Sequence, residues 1–164
     1  YSPDGFSTGL ASDEAQARQK LQQVLDNGKA AETFARMVFA LGGPADFVEN
    51  YDNHLQKAEI MRPVYAQSSG IITGMDTRAL GMAVVALGGG RLRAADLIDH
   101  AVGLTDVISL GAQADKDVPL AWVHARTETQ YEQTAAVIRN AIQVGDNAVT
   151  PSPAIYRRIT LADV

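Results

Sequence analysis

Apolar positions recur at helical spacing from Ser12 onward: Ala17, Leu21, Val24 and Leu25 share one face of a predicted helix. Ser12 stands where a cap is needed, and Asp13 and Glu14 suit the positive first turn. Asn27-Gly28 ends this helix. A second starts at once, with Ala31, Phe34, Val38 and Leu41 in phase and Gly42-Gly43-Pro44 as its stop. Two amphipathic helices joined so tightly predict an antiparallel hairpin, and its apolar face needs a partner. Residues 1–11 show no periodicity and read as an irregular or cut end.

After Tyr51 the pattern changes. Residues 52–59 are polar and predict a boundary, so that 12–51 and 55–164 read as separate parts. Ile60–Ala66 and Gly70–Met75 predict strands, the first at a sheet edge or bulged because it contains Pro63. Asp76 or Thr77 can cap a helix whose Ala79–Leu87 stretch is apolar nearly all round, which predicts burial, and Gly88 should stop it. Asp106–Leu110 predicts another strand, and Gly111–Val118 a polar turn. Pro119–Ala125 alternates, with Leu120, Trp122 and His124 on one face and Ala121, Val123 and Ala125 on the other. Thr127–Gln130 has the form of a capping box, opening a helix with Tyr131, Ala135, Ile138 and Ile142 on its apolar face and Gly145 as its end. A stiff segment at Thr150–Pro153 leads to a last predicted strand, Ala154–Leu161. Strands and helices in no regular alternation predict an α+β fold rather than a doubly wound sheet.

Composition narrows the class. With 164 residues and 46% hydrophobic content, the chain can bury a core. Nineteen acidic against 14 basic residues, with no basic run, argue against a nucleic-acid partner. The absence of Cys removes disulfides, thiolate metal sites and a Cys nucleophile. No apolar run reaches the roughly 18–20 residues of a membrane helix, and no signal peptide opens the chain, so the expected setting is the cytoplasm, with no membrane partner.

Candidate chemistry is sparse. Gly88-Gly89-Gly90 and Arg91 form a loop with more backbone freedom than a helix stop needs. It follows a helix C-terminus, where a cation is preferred, so an anion cradle is a poor reading and a plain stop or a cleft-closing loop a better one. Gly28-Lys29 has the end of a P-loop and none of its context. On a helix, Asp96, Asp99 and His100 would share a face with metal-binding geometry, but the helical pattern there is weak and a solvated face is expected. His54 and His124 have no ligand at metal-binding spacing, and Ser68-Ser69-Gly70 lacks the frame of a nucleophile elbow. No metal, no cofactor and no catalytic constellation are expected from these residues.

Longer words carry a resemblance. D-N-G-K-A-A-E-T-F-A-R-M-V at Asp26–Val38, G-G-P-A-D-F-V-E-N-Y at Gly42–Tyr51, M-D-T-R-A-L-G-M-A-V-V-A-L-G-G-G-R at Met75–Arg91, V-G-L-T-D at Val102–Asp106 and Y-R-R-I at Tyr156–Ile159 resemble the C-terminal part of the bacterial thymidine phosphorylases, within the pyrimidine-nucleoside phosphorylase family. The resemblance implies a homodimeric pentosyltransferase of nucleoside salvage, in which phosphate attacks thymidine to release thymine and 2-deoxyribose 1-phosphate. Phosphate is then a co-substrate, with no cofactor. It also implies that residues 12–51 are closing helices of an α/β domain and 55–164 an α/β-hammerhead unit with barrel-sandwich character. The family's substrate-binding and dimer-forming residues are expected upstream of residue 1, so no catalytic residue carries over and the fragment alone is expected to be inactive. Gly88, Gly89, Gly90 and Arg91 are expected to lie toward the cleft between domains. Two alternatives stand beside this reading: a stand-alone hammerhead module for binding or scaffolding, and a phosphorylase of broader pyrimidine-nucleoside specificity. A biotinyl- or lipoyl-type carrier would need a lysine at a hairpin tip, and none lies between Lys57 and Lys116.

Overall fold

A computed structural model of the chain describes residues 10–150, so the predicted strand Ala154–Leu161 and residues 1–9 of the irregular start lie outside the described residues. The chain divides between His54 and Leu55 into two compact units.

The first unit, residues 10–54, contains α1 (Glu14–Asp26), α2 (Lys29–Ala40) and α3 (Phe47–His54). Asp13 rather than Ser12 caps α1, its carboxylate accepting from the Gln16 N–H at 2.8 Å. A carboxylate carries full charge to the positive helix end, where a hydroxyl carries only a dipole. Asn27 and Gly28 turn the chain, with Gly28 at φ +80°. The short helix α3, kinked at Asn50, falls partly where a polar boundary is predicted. Phe34 and Phe47 meet at 6.3 Å between ring centroids, and Asp46 accepts from Asn50 and pairs with His54. Ala17 is the one buried apolar side chain among the described residues of this unit, while Leu25 is 64% and Leu41 82% exposed.

The second unit, residues 55–150, is α+β. β1 (Ile60–Val64), β5 (Ala121–Ala125) and β3 (Gly103–Thr105) form one antiparallel sheet in the order β1-β5-β3. β4 (Gln113–Ala114), β2 (Gly70–Met75) and β6 (Ile142–Gly145) form the other, in the order β4-β2-β6. Pro63 stands in an edge strand, as its missing N–H requires. The predicted alternation holds in β5, where Ala121, Val123 and Ala125 are buried and Trp122 and His124 are partly exposed. Helices α4 (Thr77–Val84) and α5 (Glu128–Ala141) pack on one another, and α5 also packs on β5 and β1. The capping box at Thr127 and Gln130 is fully formed, and Asp76 caps α4 through the Ala79 N–H at 2.9 Å. Ile72, Leu120, Ile138, Val64 and Val123 are fully buried, each stabilising the fold by roughly 1.5–3 kcal/mol.

Three predicted elements are corrected. The strand expected at Asp106–Leu110 lies earlier, at Gly103–Thr105, because Asp106 takes φ +50° and leaves the extended region. The last helix ends at Ala141 rather than Gly145. Ile142 turns to β geometry and pairs with Met75, so sheet pairing overrides its helical phase. Finally, α4 is buried on one face only: Leu80 and Ala83 are covered, while Gly81 lies open and Met82 is 45% exposed.

Two outcomes follow. In the isolated chain, amides of α1 and α2 should exchange with deuterium faster than those of α5, since tertiary burial supports only α5. Equal protection in the two regions would show that α1 and α2 are covered. A Cβ at Gly81 meets nothing within 4 Å. Gly81→Ala should therefore raise stability by about 0.5–1 kcal/mol, read from the denaturation midpoint.

Candidate functional site

The glycine turn grows out of the end of α4. The helix does not stop at Gly88 but widens into a π turn over Val85–Gly89, and Gly88 leaves it at φ +98°. A helix C-terminus has carbonyls without intrahelical partners. Here the Gln130 side chain donates to the Leu87 carbonyl at 3.3 Å, and the Asp99 N–H donates to the Gly88 carbonyl at 2.9 Å. The remaining glycines permit close approach. A Cβ on Gly89 would stand 2.9 Å from Val84 Cγ1 and 3.2 Å from the Val102 carbonyl oxygen, and one on Gly90 would stand 2.7 Å from Val85 Cγ2. Backbone freedom expected of a loose loop thus goes into tight packing and one left-handed residue. Arg91 is exposed and makes no ion pair or hydrogen bond among the described residues.

Beyond Arg91 the chain makes a closed loop back to Asp99. The Asp96 carboxylate accepts from the Leu92 N–H at 3.1 Å and the Arg93 N–H at 2.8 Å, folding the loop on itself. Arg126, between β5 and α5, anchors the loop's far end. Its Nε and Nη2 donate to the two Asp99 oxygens at 2.7 and 2.9 Å, a bidentate fork. Its Nη1 donates to both Glu59 oxygens and to the Lys57 carbonyl. Arg126, together with the Ala101 N–H, holds the Asp99 carboxyl down to about 2, and the two carboxylates raise the pKa of Arg126 above its ordinary value.

Asp96, Asp99 and His100 therefore do not form the metal-binding face that helical spacing would give. No helix exists there: Asp96 caps a turn, Asp99 pairs with Arg126, and His100 is exposed. No group of three or more His, Asp or Glu side chains is placed to hold a metal ion among the described residues. His54 pairs with Asp46 at 2.9 Å, a carboxylate eight positions upstream, and His124 shares a hydrogen bond with Thr105 at 2.9 Å. Met75-Asp76-Thr77 runs from the end of β2 into the first turn of α4. Arg126 was not legible as a site residue, since its partners lie 27 and 67 positions away. Its one local signal is its place immediately before a capping box, where its N–H donates to Gln130 Oε1. In the helical unit a groove of about 470 Å³ is lined chiefly by small residues, with Glu32 and Glu49 beside it.

Residues 71–145 match the family model described as the pyrimidine nucleoside phosphorylase C-terminal domain. The matched segment runs from within β2 to the last residue of β6 and includes the glycine turn, the 91–99 loop and Arg126. The match covers 75 of the 164 residues and assigns a domain of this kind to that segment. No described helix is long and apolar enough to cross a membrane.

Gly88→Ala places a side chain at φ +98° and should cost about 1–2 kcal/mol, measured by chemical denaturation. The Asp99 pair has a defined pH window. Its folded pKa lies below the ordinary 3.8, so its stabilisation is complete above that value and is lost as pH falls toward about 2. The stability advantage of wild type over Asp99→Asn should accordingly shrink across that interval in thermal melts. A constant difference from pH 6 to pH 2 would show that Asp99 is not held by charge.

Proposed function

We propose that the chain is the C-terminal part of a thymidine phosphorylase, a homodimeric cytoplasmic enzyme that exchanges thymine for phosphate on 2-deoxyribose. The observation that carries this reading is the match of residues 71–145 to the C-terminal domain of the pyrimidine nucleoside phosphorylases. The wording D-T-R-A-L-G-M at Asp76–Met82 favours the thymidine enzymes over relatives of broader specificity. The exposed apolar side chains of α1 and α2 support a chain that completes its core against other residues, rather than a free-standing scaffold module.

In this reading the C-terminal domain does no bond-making. Its contribution is a shaped edge of the substrate cleft: Gly88–Arg91 faces the cleft, and Arg91 supplies a charge-assisted hydrogen bond across it once substrates are bound. The turn is ordered by Asp99 and Gln130 before any substrate arrives, so little conformational entropy is lost on closure.

Two measurements test this. The 164-residue chain alone should release no thymine from thymidine and phosphate above background, because it lacks the groups that stabilise the transition state. In the complete enzyme, Arg91→Ala should lower kcat/KM for thymidine about tenfold, equivalent to about 1.4 kcal/mol, with the melting temperature unchanged. Wild-type kinetics in Arg91→Ala would reduce Gly88–Arg91 to a helix terminator, and full activity of the fragment would overturn the assignment.

A further inference from the structure

Gln130 is the third residue of α5, and its side chain has partners on two sides. Its Oε1 accepts from the backbone N–H of Arg126 at 3.1 Å and from that of Thr127 at 3.2 Å, which completes the capping box. Its Nε2 donates to the Leu87 carbonyl at 3.3 Å, in the turn that ends α4, 43 positions earlier. These partners fix the orientation of the amide. A flipped amide would set its NH2 group against two N–H donors and its oxygen against a carbonyl.

A capping box has no need of that second contact. Glutamate fills the third position as well as glutamine does, because the box uses only an acceptor there. Glutamine is required where the same side chain must also donate. Here the donor meets a carbonyl at a helix end, one residue before Gly88 takes φ +98°. Leu87 is 3% exposed and Gln130 half-buried, so water competes poorly for this bond. The next carbonyl, that of Gly88, accepts from the Asp99 N–H. Two consecutive carbonyls are thus held from different elements, and Arg91 leaves the turn three residues after the second.

We infer that Gln130 is a positioning residue for Arg91: its donation to the Leu87 carbonyl sets the direction in which the glycine turn delivers the arginine. The inference rests on the reading of Gly88–Arg91 as an edge of the substrate cleft. Gln130 touches no substrate and acts through the backbone of the turn alone. Without its donor the turn keeps one of its two holds, at Gly88, and Arg91 keeps its charge but loses its aim. A charge-assisted hydrogen bond across a closing cleft depends on direction, so the loss falls on turnover rather than on folding.

The test is a double-mutant cycle in the complete enzyme. Gln130→Glu keeps the acceptor of the box and removes the donor to Leu87, so kcat/KM for thymidine should fall about fivefold with the melting temperature unchanged. In the Arg91→Ala background the same substitution should change kcat/KM less than about twofold, because the group being positioned is gone. Thr127→Ala makes the opposite separation: it removes the hydroxyl half of the box and leaves Gln130 in place. It should lower the melting temperature and leave kcat/KM within about twofold of wild type. Assays run well below the lowest melting temperature, so the cycle reads coupling whatever the stability of each variant. Wild-type kinetics in Gln130→Glu would overturn the inference, as would a loss that persists undiminished when Arg91 is already alanine. With Arg91→Ala impaired, either result sinks the role of Gln130 alone. Wild-type kinetics in Arg91→Ala would instead sink the cleft-edge reading, and this role with it.

Discussion

The guanidinium of Arg126 ties the 91–99 loop to the end of the β1–β5 pair in the second unit. It reaches the end of the 91–99 loop at Asp99 and the lead into β1 at Glu59 and Lys57, while the backbone N–H of Arg126 donates to Gln130 in the first turn of α5. Two carboxylates face one cation, and the bidentate fork to Asp99 matches guanidinium geometry that a lysine could not reproduce. The loss of Arg126 would leave Asp99 and Glu59 without their counter-charge. Asp99 would also lose the contact that keeps its N–H beneath the Gly88 carbonyl, and with it the support of the glycine turn.

That dependence alters how the three glycines are understood. A run of glycines after a helix suggests slack, but the π turn, the left-handed Gly88 and the contacts at Gly89 and Gly90 leave none. Only glycine lets Val84, Val85 and the Val102 backbone approach so closely. The result is a closely packed turn after α4, beyond which Arg91, Leu92, Arg93 and Leu97 stand exposed.

The two units contrast in how their stability arises. In residues 55–150 two small sheets and two helices enclose one apolar cluster, centred on Ile72, Val123 and Ile138. Residues 10–54 form helices with hardly any burial of their own, α1 capped by Asp13 and α2 with no side-chain cap at Gly28. Isolated helices of 13 and 12 residues are marginal in water, so their persistence depends on packing. The family-model match begins only at residue 71, within the second unit, and does not reach these helices.

Most features that depend on neighbours within four residues were legible in the sequence, although the cap of α1 falls on Asp13 and not on Ser12. The Thr127–Gln130 capping box and the alternation of β5 were read correctly, and Asp76 was one of the two caps offered for α4, because these hydrogen bonds and side-chain phases are local; the α+β class followed from the order of the elements. The glycine turn was visible as a feature, but its rigidity was not, since the contacts that impose it come from Asp99, Val102 and Gln130. Ile142 has the right phase for a helix and becomes a strand because β2 offers it a partner at Met75. Asp99 has the spacing of a metal ligand and becomes the counter-ion of Arg126, which the fold brings within 2.7 Å from 27 positions away. Local hydrogen-bond chemistry thus determined where elements start and how they face. Only the packed tertiary structure decided which distant groups would neutralise each other, because that choice depends on contacts that form when the chain closes on itself.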